Sequence, residues 1–265
     1  MITNNIPKYQ YIIISANKDR LDKTINLLNK VNKSNATIYN LEATTPENDN
    51  NFLTNVKDKF TVNELKLLSC AKSHYRAIEY ALNNDSPNYS IILEDDVTFL
   101  KDNFCEILED ILNKFENDTK YSNVDFIQIG WIPGNNYIHY KTIYTSFDTI
   151  NSYENSLVFN CFNAFGLQGY IIKKSRININ MNIYSLIKYD NYEDCYNLLK
   201  NRKLLNSDLK TFVSDYTIPF LLFSAIIYPP LIIERNEIST IGNNNIYYWD
   251  KYFKDYEEEK NKYLV

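Results

Sequence analysis

The sequence predicts an α/β protein in which a mixed β-sheet is flanked by helices within a single domain. Runs of β-branched and apolar residues alternate along the chain with stretches that have the 3.6-residue periodicity of amphipathic helices. An acidic triplet, Glu94-Asp95-Asp96, directly follows the apolar run at 89–93, as expected at the end of a buried strand. We assign the domain to residues 1–246 of the 265-residue chain, followed by a charged, aromatic tail at 247–265.

The first half of the chain shows strands and helices in strict alternation. β-Branched residues dominate the first run, and the long helix carries apolar residues along one face. This order predicts βαβ units with right-handed crossovers. The predicted elements are strands at 9–15, 36–41 and 89–93, and helices from after residue 20 to about 31, from about 61 to 82 and from 102 to 115.

The second half of the chain is less regular. Residues 132–160 are aromatic and polar without a clear period, so we expect long loops or a short hairpin there. No internal repeat and no linker marks a further domain boundary. The predicted elements are strands at 124–129, 164–172 and 223–233, and a mostly helical stretch at 191–203.

Composition argues against several classes of function. The chain has 28 basic and 33 acidic residues and a net charge of −5, so it lacks the basic surface that nucleic acids require. No run reaches the ~20 apolar residues of a membrane span, and the polar N-terminus is not a signal peptide. The four cysteines are far apart and show neither a disulfide pattern nor zinc-site spacing. We therefore expect a cytoplasmic protein, and its excess of Asn, Ile, Lys and Tyr indicates an AT-rich or viral genome.

The acidic triplet is the strongest candidate for a functional site. Open α/β sheets bind ligands at the carboxyl ends of their strands. Because side chains alternate along a strand, we expect Glu94 and Asp96 to share one face and Asp95 to point to the other. Two carboxylates on one face suit Mg²⁺ or Mn²⁺, which can neutralise the charge of a bound diphosphate. The alternative is a solvated charge cluster in a turn after the strand.

Glycine and histidine usage narrows the chemistry further. None of the five glycines falls in a GxGxxG or GxxxxGK[ST] pattern, so a nucleotide would need another phosphate anchor, such as a metal held by carboxylates. With two histidines and no GxSxG sequence, little supports a serine-hydrolase triad.

Two motifs resemble those of glycosyltransferase family 25, which includes bacterial lipooligosaccharide galactosyltransferases and procollagen galactosyltransferases. The first is a helix motif in which Cys70 is followed by Ser73-His74. The second is the strand end Glu94-Asp-Asp-Val97. This pair, in this order, is fairly specific for the family.

Weaker similarities to the family extend over most of the chain. The chain departs from the family at Leu67, three residues before the helix cysteine, where members usually carry Glu; Glu64 lies one helical turn earlier. The weaker similarities are the opening strand that ends at Ser15, Arg20 after it, and the segments 169–175, 214–215, 228–231 and Ser239.

The resemblance implies a GT-A fold, a Rossmann-like domain that binds a nucleotide sugar through a carboxylate-held Mn²⁺ or Mg²⁺. It implies transfer of galactose or glucose from a UDP-sugar to a hydroxyl of a glycan or hydroxylated peptide, with inversion. Inversion requires a general base for the acceptor hydroxyl. The implied site residues are Asp96 and Glu94 as metal ligands, Ser15, Arg20, His74, Glu94 and Asp95 on the donor side, and Asp215 as the base with Glu234 as its competitor.

Two other classes of function stay open from the residues alone. The same carboxylates could serve a metal-dependent phosphodiesterase or phosphate hydrolase, although such enzymes usually group more Asp and His ligands. The absence of the family's glutamate at Leu67 also leaves open an inactive module that only binds a nucleotide sugar.

Individual site residues also have plain structural interpretations. Asp95 could cap the following loop, Arg20 could be a solvated residue at a helix start, and Asp215 could cap a helix. His74 lies roughly 70° from the centre of the apolar stripe and could be a boundary histidine. Trp131 could stack on a sugar, although an aromatic residue at a strand end more often belongs to the core.

Overall fold

A mixed β-sheet forms the centre of the protein, with helices packed on both faces. The computed structural model describes residues 9–48 except 33, 58, 60–133 except 84, 148–149, 156–159, 164–175, 177, 218, 222, 224–228 and 230–235. The helices are α1 (Lys18–Val31), α2 (Val62–Ala81) and α3 (Phe104–Asn117). The strands are β1 (Tyr9–Ser15), β2 (Thr37–Glu42), β3 (Tyr89–Glu94), β4 (Val97–Phe99), β5 (Phe126–Pro133), β6 (Asp148–Thr149), β7 (Ser156–Phe159), β8 (Ala164–Lys173), β9 (Ser224–Tyr228) and β10 (Ile232–Glu234).

The strands follow the order β2-β1-β3-β8-β5-β9-β7-β6, and β10 pairs with both β4 and β5. β1 is parallel to β2 and β3, whereas β8 lies antiparallel between β3 and β5. The predicted mixed sheet flanked by helices is therefore confirmed. Among the described helices, none combines the length and apolar character needed to cross a bilayer.

The two faces of the sheet form separate hydrophobic cores. Along β1, Tyr11 and Ile13 pack on the side of α1 and α3, whereas Ile12 and Ile14 pack on the side of α2. This division follows from the alternation of side chains along a strand. Both faces are covered, which explains why β1 and most of β3 read as continuous apolar runs.

Most predicted elements are confirmed, with bounds that differ by up to four residues. The helix predicted from residue 102 begins at Phe104, and the strand predicted at 124–129 runs from Phe126 to Pro133. The strand predicted at 223–233 is two strands, because two prolines at 229–230 cannot donate to a ladder. Within 132–160, β6 and β7 form a short antiparallel hairpin. The predicted helix at 191–203 and the tail at 247–265 lie outside the described residues.

Two glycines allow β10 to approach the sheet closely. A Cβ atom at either Gly130 or Gly169 would clash with the side chain of Ile232. Ile232 is fully buried and lies beside Gly130 in the β5–β10 pair. The absence of side chains at these two positions therefore seats β10, and with it Glu234, close to the end of β3.

Candidate active site

The acidic triplet lies at the carboxyl end of β3, beside the carboxyl end of β1. β3 ends at Glu94, and Asp95 and Asp96 form the turn that leads into β4. Strand alternation therefore does not reach Asp96, so the direction of its side chain does not follow from the pleat of β3. Each carboxylate takes its direction from its own hydrogen-bond partners.

Helix α2 supplies one wall of the site. Thr61 caps its first turn: the Thr61 hydroxyl accepts from the Glu64 backbone N–H at 3.3 Å, and Glu64 Oε2 accepts from the Thr61 N–H at 2.8 Å. Glu64 thus has a capping role at the start of the helix. Ser73 donates to the Ser69 carbonyl oxygen and accepts from the Thr44 N–H, both at 2.8 Å, which ties the helix to the end of β2.

His74 connects α2 to the acidic strand end. Its Nε2 atom lies 3.1 Å from Glu94 Oε1, and its Nδ1 atom lies 3.0 Å from the Tyr170 hydroxyl oxygen. Burial raises the pKa of Tyr170 well above its ordinary value, so the hydroxyl keeps its proton and remains able to hydrogen-bond with Nδ1. The Glu94 carboxylate accepts from the facing Nε2–H of His74 when that nitrogen carries the ring proton. This hydrogen-bonded series orients the Glu94 carboxylate.

Asp95 joins the turn to β1 and α1. Its Oδ2 atom accepts from the Ser15 hydroxyl at 2.6 Å, and its Oδ1 atom lies 3.1 Å from Arg20 Nη2. Its carbonyl oxygen accepts from the Thr24 hydroxyl, also at 2.6 Å. The carboxylate therefore contacts the elements before it in the chain, and the alternative that Asp95 caps the following loop is wrong.

Asp96 is a buried carboxyl group with one bonded oxygen. Its Oδ2 atom pairs with Arg20, whereas Oδ1 has no hydrogen-bond partner among the described residues. Burial and then the negative charge of Glu94 raise the pKa of Asp96 to about 8, although Arg20 acts in the opposite direction. Glu234 and Asp95 raise it further. Asp96 Oδ1 is therefore a buried acceptor whose chemistry fits a cation.

Two arginines hold the acidic turn. The Arg20 side chain is 13% exposed and contacts both Asp95 and Asp96, so the alternative of a solvated Arg20 is wrong. Arg235 donates to the carbonyl oxygens of Asp95 and Val97 at 2.6 and 3.0 Å, and to the Thr24 hydroxyl at 2.7 Å. Its backbone N–H also donates to the Asp96 carbonyl oxygen. Nothing in the sequence around Arg235 marked it as part of the site.

Of the two candidates for the general base, the structure describes Glu234 but not Asp215. Glu234 ends β10 opposite Val97, and its charge raises the pKa of Asp96, so it lies near the acidic turn. Asp215 lies outside the described residues. Trp131 belongs to the core: it is 1% exposed and its indole N–H donates to the Ile227 carbonyl oxygen at 2.9 Å, so the alternative of sugar stacking is wrong.

The donor set suits a hard divalent cation. Within the described part of the chain, four carboxylates, those of residues 94, 95, 96 and 234, lie at this strand end with two guanidinium groups. Asp95 is already satisfied by Ser15 and Arg20, whereas Asp96 Oδ1 has no hydrogen-bond partner among the described residues and Glu94 Oε1 contacts His74. Carboxylate oxygens are the ligands that Mg²⁺ and Mn²⁺ prefer.

Solved structures with detectable similarity are distant from this chain. The galactosyltransferase LgtC, in complex with donor and acceptor sugar analogs, aligns with a TM-score of 0.46 at 10% identity, covering 91% of this chain and 92% of that one. A glycosyltransferase involved in glycosylation of the major capsid of PBCV-1 gives 0.41 at 10% identity, with 88% and 95% covered. The mannosyltransferase PcManGT from Pyrobaculum calidifontis, in complex with GDP-Man and Mn²⁺, gives 0.43 at 8% identity, with 89% and 59% covered.

The family assignment does not rest on these structures. A search of curated proteins found no match. The sequence profile of glycosyltransferase family 25 (LPS biosynthesis protein) matches residues 9–191, which is more than half of the 265-residue chain. That span includes the cysteine–serine–histidine turn of α2 and the acidic end of β3. The chain therefore belongs to glycosyltransferase family 25.

Proposed function

We propose that this glycosyltransferase moves a hexose, galactose or glucose, from a UDP-sugar to an acceptor hydroxyl in a metal-dependent reaction that inverts the anomeric carbon. The proposal rests on the environment of Asp96. This residue is buried, its Oδ1 atom has no hydrogen-bond partner among the described residues, and the negative charges of Glu94 and Glu234 raise its pKa. The family's description as LPS biosynthesis proteins favours a glycan over a hydroxylated peptide as the acceptor.

Asp96 and Glu94 are the proposed ligands for Mn²⁺ or Mg²⁺. When bound, the ion would offset the charge that develops on the departing diphosphate. Arg20 pairs with Oδ2 of Asp96 and so leaves Oδ1 available. A cation beside Oδ1 also favours the ionised form, which lowers the pKa of Asp96 from about 8.

The remaining polar residues position this pair and the donor. His74 contacts both Tyr170 and Glu94, and so fixes the orientation of the Glu94 carboxylate from the α2 side. Asp95 binds Ser15 and Arg20, which places a hydroxyl and a guanidinium group beside the metal ligands. Arg20 is thus the proposed contact for the donor phosphates or uracil oxygens.

Calorimetry with UDP-galactose and UDP-glucose tests the proposal directly. We expect donor binding in the presence of Mn²⁺ or Mg²⁺ and none with a chelator, because Asp96 and Glu94 repel a diphosphate without a cation. Equal affinity with and without the chelator would rule out the metal dependence.

A hydrolysis panel separates the transferase from the other classes of function. A transferase slowly hydrolyses one nucleotide sugar selectively, and only with the metal. A phosphodiesterase hydrolyses the panel irrespective of the sugar, and an inactive module binds a donor without turnover. Either of these outcomes would contradict the proposed activity.

Asp215 is the proposed general base for the acceptor hydroxyl, and Glu234 is its competitor. The base must lie outside the metal's ligands, because a metal-bound carboxylate is too weakly basic. We expect Asp215→Asn to lower kcat by ~10²-fold or more with unchanged donor binding. Retained turnover in Asp215→Asn, together with its loss in Glu234→Gln, would assign the role to Glu234.

A further inference from the structure

A second cluster of metal-ligating side chains lies on the α2 side of Glu94. Cys70 and His74 are one helical turn apart on α2, and Glu94 faces them from the end of β3. One potential ligand atom from each residue lies within 4.8 Å of the other two. We propose that Cys70, His74 and Glu94 form a binding site for Zn²⁺ or another divalent ion of similar softness.

The spacing of the three atoms is compatible with one ion. Tetrahedral zinc with ligand bonds of about 2.0–2.3 Å separates its ligand atoms by roughly 3.3–3.8 Å. His74 Nε2 and Glu94 Oε1 are 3.1 Å apart, and one ligand atom from each of the three residues lies within 4.8 Å of the other two. Cys70 and Glu94 are both partly exposed, so their side chains are less confined by packing than that of His74.

The ligand types decide which ion the cluster prefers. A thiolate, an imidazole nitrogen and one carboxylate oxygen are ligands typical of zinc, whereas Mn²⁺ and Mg²⁺ prefer oxygen alone. The cluster therefore differs chemically from the Asp96–Glu94 pair. Cys70 and His74 have one-turn helical spacing, but the third ligand comes from the next element, β3, so no local spacing alone marks the set.

Tyr170 supplies the outer support that zinc-binding histidines require. The Tyr170 hydroxyl oxygen lies 3.0 Å from His74 Nδ1, and Nε2 lies 3.1 Å from Glu94 Oε1. When Nε2 binds an ion, the ring proton lies on Nδ1 and that N–H donates to the Tyr170 hydroxyl oxygen, as it does to the outer partners of metal-binding histidines. The ring thus stays neutral, and the Cys70 thiol releases one proton to solvent as the metal–sulfur bond forms.

The site provides three protein ligands and leaves a fourth position open. His74 is 1% exposed, whereas Cys70 and Glu94 are partly exposed, so the open position faces outward. The existence of this site does not depend on the proposed transfer reaction. Only one consequence rests on that function: Glu94 serves one ion at a time, so Zn²⁺ is expected to weaken Mn²⁺-dependent UDP-sugar binding.

Thiol alkylation of the reduced, unmodified protein tests the site without any substitution. Peptide mass spectrometry follows iodoacetamide labelling of Cys70 and of Cys105, a buried helical thiol elsewhere in the fold. We expect Zn²⁺ to slow labelling of Cys70 about tenfold while Mn²⁺ does not, because a zinc-bound thiolate is a weak nucleophile. Labelling of Cys105 stays unchanged. An unchanged rate at Cys70 would overturn the proposal.

Cobalt titration identifies the ligands. We expect one equivalent of Co²⁺ to produce thiolate-to-cobalt charge-transfer absorption in the wild type and in Cys105→Ser, and to lose it in Cys70→Ser. Asp96→Asn should retain the band, which separates this site from the proposed donor-metal pair. A band that survives Cys70→Ser, or disappears in Asp96→Asn, contradicts the assignment. Failure of UDP-sugar binding would leave all these results unchanged.

Discussion

The two oxygens of Asp96 have different environments. Oδ2 pairs with Arg20, and Oδ1 is buried without a hydrogen-bond donor among the described residues. A buried, unsatisfied acceptor costs stability, on the order of 1–3 kcal/mol in mutational data. Such a residue is more consistent with a binding role than with a structural one, because functional sites often retain groups that weaken the fold.

Replacement of Asp96 by Asn separates these roles. We expect Asp96→Asn to lower turnover by ~10²-fold or more, because the amide cannot hold a divalent ion as a carboxylate does. An Asn at this position keeps an oxygen for Arg20 and offers its NH₂ group to neighbouring carboxylates. The melting temperature should therefore stay unchanged or rise. A fall as large as that of a core cavity would make Asp96 structural.

The pKa of Asp96 predicts how stability depends on pH. The pKa of Asp96 rises from 3.8 to about 8 on folding. At a pH between these two values, the folded protein therefore keeps the Asp96 proton, whereas the unfolded chain has lost it. The stabilising effect of the protonated group is complete below the lower value and is lost as the pH rises through about 8. The metal-free wild type should thus lose stability relative to Asp96→Asn across this range.

Thermal melts in a chelator, from about pH 5.5 to about pH 9, measure this difference. The wild type should fall relative to Asp96→Asn by about 2 °C or more, the shift expected for roughly 1 kcal/mol in a domain of this size. Parallel curves for the two proteins would show that Asp96 titrates at its ordinary pKa.

At the scale of elements, the site depends on three that meet around His74. α2 contributes His74, β3 contributes Glu94, and β8, antiparallel to β3, contributes Tyr170. The register places Tyr170 opposite Ile92, two residues before Glu94 and on the same face of the sheet. The hydrogen bonds of His74 therefore join a helix to two strands.

Loss of the Tyr170 hydroxyl should affect donor binding more than folding. We expect Tyr170→Phe to weaken metal-dependent donor binding about tenfold, because His74 loses the partner that holds its ring. Tyr89→Phe is the matched control: it removes a hydroxyl that donates to Glu116 at 2.6 Å, at the opposite end of β3. Calorimetry and thermal melts measure both properties. Equal donor affinity in the two variants would contradict a positioning role for Tyr170.

At the scale of the whole molecule, the segment at the end of β10 contacts α1, the first helix of the chain. Arg235 donates to the Thr24 hydroxyl, to the Arg20 carbonyl oxygen at 3.3 Å, and to the carbonyl oxygens of Asp95 and Val97. Arg235 therefore joins α1, the acidic turn and β10. The first and last of these contacts, at Arg20 and Arg235, are more than 200 positions apart in the sequence. Its planar guanidinium group suits several carbonyl acceptors at once.

Arg235→Gln tests whether this junction keeps the site in place. We expect a loss of about 2–4 kcal/mol in the free energy of unfolding, since hydrogen bonds from a charged donor contribute about 1.5–3 kcal/mol each and are not additive. Metal-dependent donor binding should weaken as well. Arg76→Gln is the control, because Arg76 donates to the Glu42 carbonyl oxygen and to Thr44 Oγ1 at 3.1 and 3.0 Å, at the end of the edge strand β2. Equal effects of the two substitutions would argue against a special role for Arg235.

Much of the architecture could be predicted from local patterns. The bounds of β1, the position of α2 and the acidic end of β3 follow from hydrophobic periodicity and helix capping, which involve neighbours in sequence. Asp96 and Glu94 became candidates because carboxylates follow a buried strand. The cysteine–serine–histidine turn and the acidic strand end also carried the family resemblance that the profile confirms.

The sequence by itself therefore determined the fold class and the family, and it singled out the acidic residues of the candidate site. Only the tertiary structure decided that Asp96 lies in a turn with one oxygen unsatisfied, and that Tyr170 and Arg235 support the site. It also decided that Trp131 belongs to the core. The physical reason is the range of the interactions. Periodicity and capping act within a few residues, whereas the pairing of β8 with β3 and the seating of β10 depend on packing between segments far apart in the chain.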